Sequence, residues 1–356
     1  MSQPGAELTS TGAIESIATV DDQAMSEDDA ALLERLLFEL RATIVGQNRM
    51  LERVLVCLLA GGHCLIEGVP GLAKTLTIET LAKSIGGSYS RIQMTPDLVP
   101  SDLVGTRIYR GSTESFDVEL GPVLANIVLT DEVNRAPAKV QSALLEVMAE
   151  RQVSIGGITH PAPDPFLVLA TQNPIESEGV YQLPEAQRDR FLMRVIVDYP
   201  DASEEAEIVR RMGVEPPITR QVLTLDEIRG LQTRARSVYV DHQVLEYAIS
   251  LVIATRRPVD YGLPELDGLL AYGASPRASL GLVAAGRALA LLRGRRYVVP
   301  QDIFDVGYEV LNHRLVLSYD ALADDRSAGE LAGEVLARVP APRVTTSELH
   351  DRAETL

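Results

Sequence analysis

Short apolar runs recur along the first 200 positions of the chain and alternate with segments of helical periodicity. Apolar runs bounded by turn residues are typical of strands that are buried on both faces of a sheet. Because strands that alternate with helices pair in parallel, this pattern predicts an α/β fold with a central parallel sheet. The predicted strand runs are 64–67, 89–94, 127–131, 166–171 and 191–199.

Helical periodicity is clearest before the first run and before the fourth. Leucines and Phe38 recur at helical spacing over 29–40, and a second helix is predicted through Leu55 and Leu59. A third helix, 137–150, has proline at a first-turn position and apolar residues along one face. We expect this last segment to be a packed crossover helix.

Two further patterns complete the predicted organisation. Apolar and polar residues alternate over 152–159 around Gly156-Gly157, which predicts a β-hairpin inserted between a helix and a strand. Beyond residue 200 the strand pattern stops, and helical patterns continue to about residue 316, which predicts a second, all-helical domain. The predicted units are a disordered acidic tail at 1–28, an αβα core at 29–200, a helical domain at 201–323 and a polar tail at 324–356.

The composition narrows the range of partners. The 356 residues include 50 acidic and 33 basic side chains, for a net charge of −17. This charge disfavours unspecific binding to nucleic acid or to an anionic membrane surface, although a local basic patch stays possible. We therefore expect neither nucleic acid nor a membrane to be the principal partner.

Features related to cellular compartment are few. The longest apolar stretch, 54–66, is interrupted by glycines and His63, and the N-terminus has no basic-then-apolar signal pattern. Cys57 and Cys64 lie in apolar surroundings without a metal-ligand spacing, which is typical of reduced core cysteines. We expect a cytoplasmic protein with no membrane span.

The chain carries a candidate phosphate-binding loop directly after the first strand run. Such a loop needs backbone N–H groups, a flexible cation for the outer phosphates and a hydroxyl for Mg²⁺. Ala73 stands where a second glycine usually precedes the lysine, and alanine fits there if the residue keeps a helical φ. A glycine turn that merely ends in Lys-Thr is the alternative interpretation. The predicted nucleotide-binding residues of the loop are Gly68, Val69, Pro70, Gly71, Leu72, Ala73, Lys74, Thr75 and Leu76.

Polar side chains follow two of the predicted strands at their carboxyl ends. Asp131 and Glu132 come after the run 127–131, at the edge of a parallel sheet where ligands bind. Asp131 is predicted to hold Mg²⁺ through water, and Glu132 to polarise the attacking water. Asn173 follows the run 166–171 and is predicted to orient that water or to contact the γ-phosphate. Taken alone, each feature would more often mark an ordinary strand-to-loop boundary, and the phosphate loop upstream reverses that preference for the two acids.

Three arginines are candidates for stabilising the charge of a transferring phosphoryl group. Arg188 and Arg190 lie just before Phe191, and Arg277 follows Ser275, a predicted helix N-cap. Arg277 is predicted to project from a helix start in the second domain and to close over bound nucleotide. Without the phosphate loop, a surface ion pair would explain Arg190, and a simple helix-start cation would explain Arg277.

Four ordered motifs together resemble the MoxR family of AAA+ ATPases, over residues of about 30 to 320. Alanine before the lysine is similar to the usual form of that family. The motifs are EGVPGLAKT at 67–75, TDEVNRAP at 130–137, ATQNP at 170–174 and LPEAQ at 183–187.

The resemblance implies an AAA+ P-loop NTPase core of αβα architecture with a parallel sheet, followed by a small all-helical lid. It also implies ATP and Mg²⁺ as cofactors and a homo-oligomeric ring, typically hexameric, with each ATP site at a subunit boundary. The roles it implies are P-loop ligands for Lys74 and Thr75, metal binding for Thr75 and Asp131, hydrolysis for Glu132, sensor one for Asn173, a trans-acting arginine finger for Arg190, sensor two for Arg277, and adenine packing for Val45, Gly46 and Gln47.

Two insertions also resemble those of the family. Residues 95–109 resemble the helix-two insert, and the Gly156-Gly157 hairpin resembles the one that precedes sensor one, which faces the central channel in related ATPases. The finger has two candidates, because Arg188 occupies a position that is often leucine in relatives. We prefer Arg190 as the arginine finger, because it stands in the tripeptide Asp-Arg-Phe.

The resemblance implies an ATP-driven chaperone that remodels or activates a client protein beside a von Willebrand factor A domain protein. No Asn-Lys-x-Asp motif for guanine is present, which favours adenine. The alternatives are an ATPase subunit of a magnesium chelatase, a DNA-dependent AAA+ motor, against which the acidic chain argues, and a non-hydrolysing nucleotide switch, against which Glu132 argues.

Overall fold

The computed structural model describes residues 27–69, 71–112, 114–174, 181, 183–212, 217–344, 349, 352 and 353. Pro70, residues 1–26 of the predicted acidic tail and several residues beyond 344 lie outside this described part.

Helices and strands alternate through the first half of the chain, as the periodicity predicts. The helices within the described residues are α1 (Glu27–Thr43), α2 (Asn48–Ala60), α3 (Lys74–Ser84), α4 (Pro100–Val104), α5 (Ala138–Glu150), α6 (Glu185–Arg188), α7 (Ala202–Met212), α8 (Leu225–Ser237), α9 (His242–Ala254), α10 (Pro276–Leu292), α11 (Pro300–Leu311), α12 (Tyr319–Ala323) and α13 (Ala328–Arg338). The strands are β1 (Cys64–Glu67), β2 (Tyr89–Gln93), β3 (Gly105–Arg110), β4 (Ser115–Leu120), β5 (Ile127–Asp131), β6 (Gln152–Ile155), β7 (Ile158–Pro161), β8 (Leu167–Gln172), β9 (Met193–Ile196), β10 (Leu270–Tyr272) and β11 (Val316–Leu317). Short 3₁₀ helices span Val133–Arg135, Pro258–Tyr261 and Pro264–Leu266.

The central sheet is parallel and has the strand order β2-β5-β8-β1-β9. The predicted α/β class with a parallel sheet is confirmed. Because β1 pairs with β8 and β8 pairs with β5, the carboxyl ends of these three strands lie side by side. The phosphate loop, the two acids and Asn173 each follow one of these ends, which brings them to one edge of the sheet.

Alternate residues of the central strands enter two different apolar cores, which explains the three-layer αβα architecture. On β1, Cys64 and Ile66 pack into the larger core, whereas Leu65 between them packs into the smaller one. On β5, Leu129 and Val128 divide in the same way. Successive side chains of a strand point to opposite faces, so both faces of this sheet are covered.

The second domain is mainly helical, in agreement with the prediction, but it also contains a small antiparallel pair. Strand β10 pairs with β11, and the N–H of Ser318 donates to the carbonyl of Leu269 next to this pair. The helical patterns beyond residue 200 predicted no strand at Leu270–Tyr272. A strand this short carries too little periodicity to be predicted.

The insertion after β2 is a hairpin with a preceding helical turn. The resemblance placed an insert at 95–109; the structure forms α4 and then the antiparallel pair β3–β4, which extends to Leu120. Gly121 closes the base of this hairpin, because a Cβ there would lie 2.2 Å from the carbonyl oxygen of Leu103. The predicted hairpin around Gly156-Gly157 forms as β6–β7.

Helix α13 lies within the segment that the sequence assigned to a polar C-terminal tail. Ser327 and Glu330 form a capping box at its start, which favours a helix. Its apolar face, including Leu331 and Val335, is buried in the larger core. The helical domain therefore continues past residue 323, because an amphipathic helix buries its apolar stripe even when its composition is polar on average.

Two other features of the described residues bear on the sequence-based expectations. Cys57 and Cys64 are free and buried. In the described part of the chain, no helix has both the length and the apolarity that a membrane span requires.

Candidate nucleotide-binding site

The phosphate loop connects the buried strand β1 to helix α3, which begins at Lys74. Gly71 has a φ of +87°, and a Cβ at this position would meet no atom within 4 Å. Open space beside a left-handed backbone is what the close approach of an anionic group to backbone N–H groups requires.

Ala73 does not keep the helical φ that the sequence interpretation required of it. Its φ is 56° and its ψ is 16°, in the left-handed region, and it is the N-cap residue of α3. The loop turns into the helix at this residue, which explains why phosphate loops usually carry glycine there. An L-residue in this region is less stable by about 1–2 kcal/mol, so alanine is tolerated at a cost.

Lys74 lies between the loop and the acidic residues of the sheet edge. Its Nζ donates to the carbonyl oxygen of Gly68 at 2.5 Å. Burial lowers the pKa of Lys74, whereas the negative charges of Asp131, Glu132 and Glu67 oppose that shift. The loop, the cation and the acids thus form one electrostatic unit.

Asp131 is buried at the end of β5, and both of its carboxylate oxygens accept hydrogen bonds. Oδ1 accepts from the Thr171 hydroxyl at 3.1 Å, and Oδ2 accepts from Nε of Arg91 at 2.7 Å. Arg91 also brings its Nη2 within 2.7 Å of Oδ2. These contacts fix the direction of the Asp131 carboxylate at the edge of the sheet.

Glu132 is held by contacts to both its backbone and its side chain. It has a φ of 57°, and its N–H donates to the Thr171 hydroxyl oxygen at 2.9 Å. Its Oε2 accepts from Nε2 of Gln93 at 3.0 Å and lies 2.8 Å from Nε of Arg135. The left-handed turn directs Glu132 away from the strand direction that Asp131 still follows.

Sequence reasoning missed Arg91, Gln93 and Thr171 as members of this site. The register of the sheet places them there, since Gln93 is paired with Asp131 across β2 and β5. Thr171 lies in the motif ATQNP, two residues before Asn173. A hydroxyl side chain at the end of a buried strand could have indicated its place in the site.

A cleft of about 400 Å³ opens between the loop and the sheet edge. Asn173, which is buried, lines this cleft opposite the loop. The structure therefore brings the loop, the acids and the predicted sensor one residue together. The lining residues are Gly71, Leu72, Ala73, Lys74, Thr75, Leu76, Arg91, Gln93, Asp131, Glu132, Thr171, Gln172 and Asn173.

A second, more apolar cleft of about 260 Å³ shares part of the loop with the first. Val45 and Gln47 line it, and Gly46 lies between them with a φ of 67°. Gln47 is anchored by donating from Nε2 to the carbonyl oxygen of Asp198 at 2.9 Å. The remaining lining residues are Thr43, Ile44, Gly71, Leu72, Ala73, Leu76, Pro200 and Ile208. A cleft of this kind beside a phosphate loop suits the flat ring of a nucleobase.

The predicted sensor two residue lies elsewhere. Arg277 and Arg190 line a third cleft, of about 330 Å³, and neither lines the cleft of the phosphate loop. Arg277 is held there because its helix start is bound to the core: the Ser275 hydroxyl donates to Oδ2 of Asp189 at 2.8 Å. Sequence alone placed Arg277 at a helix start but could not orient that helix.

The two candidate finger arginines differ in exposure. Arg190 is exposed, whereas Arg188 is half-buried, and burial together with the nearby Arg194 lowers the pKa of Arg188. Arg194 makes a bidentate contact with Glu67, the residue before the phosphate loop, at 2.9 and 2.7 Å. Arg188, at the end of α6, therefore lies on the interior side of the chain, and Arg190, just after α6, lies at the surface.

The donor set of the first cleft fits a magnesium nucleotide. A carboxylate from Asp131 and a hydroxyl from Thr75 are the hard oxygen ligands that Mg²⁺ prefers, and it takes few of them from the protein when phosphates supply the rest. Lys74 and the open space at Gly71 provide for the phosphates.

Comparison with known protein families agrees with this geometry. Residues 63–193 match the family described as ATPase family associated with various cellular activities (AAA), and residues 267–335 match the AAA lid domain. The first match includes the phosphate loop, both acids and Asn173. The second includes Arg277 and reaches into α13.

Individual relatives cover nearly the whole chain. Chaperone MoxR1 of Mycobacterium tuberculosis is 59% identical over 88% of this chain and 83% of its own length. Protein MoxR of Methylorubrum extorquens is 34% identical over 88% of this chain and 96% of its own length. A crystal structure of a candidate ATPase from Cytophaga hutchinsonii superposes with a TM-score of 0.84 at 44% identity, covering 89% of this chain and 96% of that one. The phosphate loop and the acid pair lie at one edge of the sheet, and these matches cover most of the chain. It follows that the chain belongs to the MoxR family of AAA+ ATPases.

Proposed function

We propose that this chain binds ATP with Mg²⁺ and hydrolyses ATP to ADP and phosphate. One observation carries the proposal: the loop cation Lys74, the acids Asp131 and Glu132, and the amide of Asn173 all line a single cleft. Phosphoryl transfer depends mainly on positioning and electrostatic stabilisation, and these groups supply both.

The residues of the cleft divide the work. Lys74 and the backbone of the loop bind the phosphates, and Thr75 and Asp131 hold the metal, which when bound neutralises phosphate charge. Glu132 accepts a proton from the attacking water, and Asn173 orients that water. Gln93 and Arg135 contact the Glu132 carboxylate, so they hold it fixed in direction.

The apolar cleft beside the loop takes the base. Val45, Gly46 and Gln47 form a segment against which adenine packs, with Leu76 on the side of the loop. The anchored Gln47 amide keeps that segment in place. The absence of an Asn-Lys-x-Asp motif for guanine favours adenine as that base.

The active form is a homo-oligomeric ring, hexameric by analogy with AAA+ proteins, in which each site lies at a subunit boundary. The location of Arg190 and Arg277 supports this arrangement, since both line a cleft other than that of their own phosphate loop. We assign Arg190 as the arginine finger that acts on the nucleotide of a neighbouring copy. Arg277, named as sensor two from its sequence position, faces the same way.

The ring acts as a chaperone in the cytoplasm, where it remodels or activates a client protein together with a von Willebrand factor A domain protein. The name of the mycobacterial relative, Chaperone MoxR1, supports the first part. Two free cysteines suit a reducing compartment. A DNA-dependent motor and a magnesium chelatase subunit are the rival functions.

Two substitutions test the nucleotide site. Lys74→Ala removes the cation of the loop, and we expect ATP binding to be lost in a fluorescent nucleotide titration. Glu132→Gln keeps the size of the side chain but removes the base, so we expect ATP to bind while phosphate release falls by about 100-fold or more. Unchanged turnover of Glu132→Gln would show that another group is the base.

Mixing variants tests the ring. Arg190→Ala is expected to bind ATP but not to hydrolyse it. Adding Lys74→Ala subunits, whose Arg190 completes the site of the first variant, is expected to restore hydrolysis.

The rate of ATP hydrolysis with and without duplex or single-stranded DNA separates the proposed function from a DNA motor, for which DNA would strongly stimulate turnover. Glu132→Gln with ATP is also the suitable bait for capturing the client.

A further inference from the structure

A partly buried carboxylate, that of Asp189, lies beside the two arginines that line a cleft other than that of their own phosphate loop. Asp189 directly follows α6, and three side chains of the helical domain converge on it. Oδ1 accepts from Nε of Arg314 at 2.8 Å, and Oδ2 accepts from the Ser275 hydroxyl at 2.8 Å. Nη1 of Arg277 lies 3.7 Å from Oδ2. We call Asp189, Ser275, Arg277 and Arg314 the Asp189 cluster.

Arg314 also holds the backbone of the turn that carries Arg190. Its Nη2 donates to the carbonyl oxygen of Phe191 at 2.6 Å, and its Nη1 donates to that of Leu192 at 3.1 Å. Only 3% of the Arg314 side chain is exposed. A planar guanidinium with several fixed acceptors holds one geometry, so the turn from Asp189 to Leu192 has little freedom.

Neighbouring side chains of the same segment strengthen this attachment. Asn312 donates from Nδ2 to the carbonyl oxygen of Arg194 at 3.2 Å, and Nε2 of His313 lies 3.1 Å from that of Phe191. Three consecutive residues of the helical domain therefore bind the backbone on either side of Phe191. The position of Arg190 is set by the helical domain rather than by the core alone.

The cleft that results is suited to an anion. Arg190, Arg277 and Arg314 line it together with Asp189, so its ionisable lining has a surplus of positive charge. Arg190 and Arg277 are exposed, and 57% of the Arg277 side chain is accessible. Two exposed arginines in one cleft repel each other, and the nearby negative charge of Asp189 offsets that repulsion.

We propose that Asp189 is a positioning residue which, held by Arg314 and Ser275, sets Arg190 and Arg277 as a pair for the triphosphate of a neighbouring copy. This inference rests on the proposed function, in which Arg190 serves the adjoining site. Asp189 does not contact the nucleotide itself. Its contacts fix the turn that carries Arg190 to the helix start that carries Arg277.

The primary test is Asp189→Asn, which preserves shape but removes the charge. We expect kcat to fall by about 10-fold or more, because small misplacement of a transition-state group has effects of this order, while KM for ATP changes less than about twofold. Adding Lys74→Ala subunits, whose arginines are intact, is expected to restore hydrolysis at the Asp189→Asn sites. A residue needed only for folding would give no such rescue.

Gln232→Leu is the matched control, because Gln232 also joins the two domains. Its Nε2 donates to the carbonyl oxygen of Leu58 at 2.7 Å in a buried contact, and neither residue lines the cleft of the arginines. We expect this variant to lower the midpoint of thermal unfolding without changing kcat. Equal losses of kcat in Gln232→Leu and Asp189→Asn would overturn the proposal.

Removing the charge that faces the buried Arg314 can prevent folding, so a second variant is needed. Asp189→Asn/Arg314→Gln removes both charges and leaves two amides that can still bond. We expect this double variant to recover thermal stability but not kcat, and recovery of both would overturn the positioning role. If it too fails to fold, Ser275→Ala, which removes one hydrogen bond, must lower kcat with an unchanged KM for the proposal to stand.

The outcomes also separate this inference from the function on which it rests. If Arg190→Ala hydrolyses ATP normally, the assignment of Arg190 as the trans-acting finger is wrong. If Arg190→Ala is inactive and rescued by Lys74→Ala while Asp189→Asn turns over like the wild type, the finger stands and only the role of Asp189 fails.

Discussion

At the scale of single residues, Ala73 shows how the loop accepts a side chain at a left-handed position. Its φ of 56° lies where glycine is normally preferred, and the residue caps the helix that carries Lys74. The Cβ of alanine already meets the clash that costs about 1–2 kcal/mol in this region, but the side chain adds no atoms beyond it. The loop therefore keeps its shape with a stiffer residue before the lysine.

We predict that Ala73→Gly raises the free energy of unfolding by about 0.5–1 kcal/mol, as relief of the left-handed conformation outweighs the added entropy of the unfolded chain. Urea denaturation without nucleotide measures this change. Ala82→Gly is the matched control in the same helix, α3, where alanine is helical and buried, so it should lower stability by about 1 kcal/mol or more. A loss at both positions would contradict the strain at Ala73.

Thr171 is the residue that links the two acids, because its hydroxyl donates to Asp131 and accepts from the N–H of Glu132. We predict that Thr171→Val, which keeps the shape, lowers kcat for ATP by about 10-fold, since both acids lose an orienting contact. The free energy of unfolding should fall by about 1 kcal/mol, because the partly buried N–H of Glu132 loses its partner.

Steady-state phosphate release, compared with chemical denaturation, checks this prediction. Thr130→Val is the control on the neighbouring strand, where the hydroxyl makes a single long contact of 3.5 Å to the carbonyl of Leu169. Its turnover should stay close to that of the wild type. Equal effects of the two substitutions would mean that the acids do not depend on Thr171.

At the scale of elements, helix α13 packs closely on α11. A Cβ on Gly307 of α11 would lie 2.4 Å from Cδ2 of Leu336 on α13, so the absence of a side chain permits this approach. The described residues of the segment expected as a tail thus contribute to the main core.

We predict that Gly307→Ala lowers the free energy of unfolding by about 1–3 kcal/mol, because Leu336 must move from its buried position. Gly333→Ala is the matched control within α13, where a Cβ would meet no atom within 4 Å. That substitution should raise stability by about 1 kcal/mol through helix propensity. Guanidinium denaturation measures the free energy of unfolding of both variants. A gain in stability for Gly307→Ala would contradict the close packing of α13 on α11.

At the scale of the whole molecule, buried neutral histidines connect stability to pH. His63 lies at the base of β1, where its Nδ1 accepts from the N–H of Val168 at 3.0 Å and its Nε2 lies 3.1 Å from the carbonyl of Met148. Burial lowers the pKa of His63 from 6.5 to about 4. The native contacts suit the neutral ring with its proton on Nε2.

We predict that stability falls as pH decreases from about 6.5 to about 4, since the unfolded chain takes up a proton at His63 in this window and the native state does not. The loss attributable to His63 is up to about 3 kcal/mol. Urea titrations at several pH values measure it, and His63→Gln should reduce the slope. His242→Gln is the control, because that ring is 68% exposed, and an unchanged slope in His63→Gln would contradict the assignment.

The sequence by itself determined the parallel α/β core, the phosphate loop, the two acids and the family, because each depends on a local pattern. Strand runs bounded by turns and motifs directly after them place Lys74, Asp131, Glu132 and Asn173 at one sheet edge without further information. The tertiary structure decided which side chains contact these groups and where the helical domain directs its arginines.

The reason is physical. Arg91, Gln93 and Thr171 join the site through strand register, and Arg277 faces a different cleft because Ser275 and Arg314 bind Asp189. Such contacts join residues far apart in the chain, and hydrophobic periodicity encodes which face of an element is buried but not which partner covers it. The left-handed φ of Ala73 likewise follows from how the loop meets α3, not from the preference of alanine.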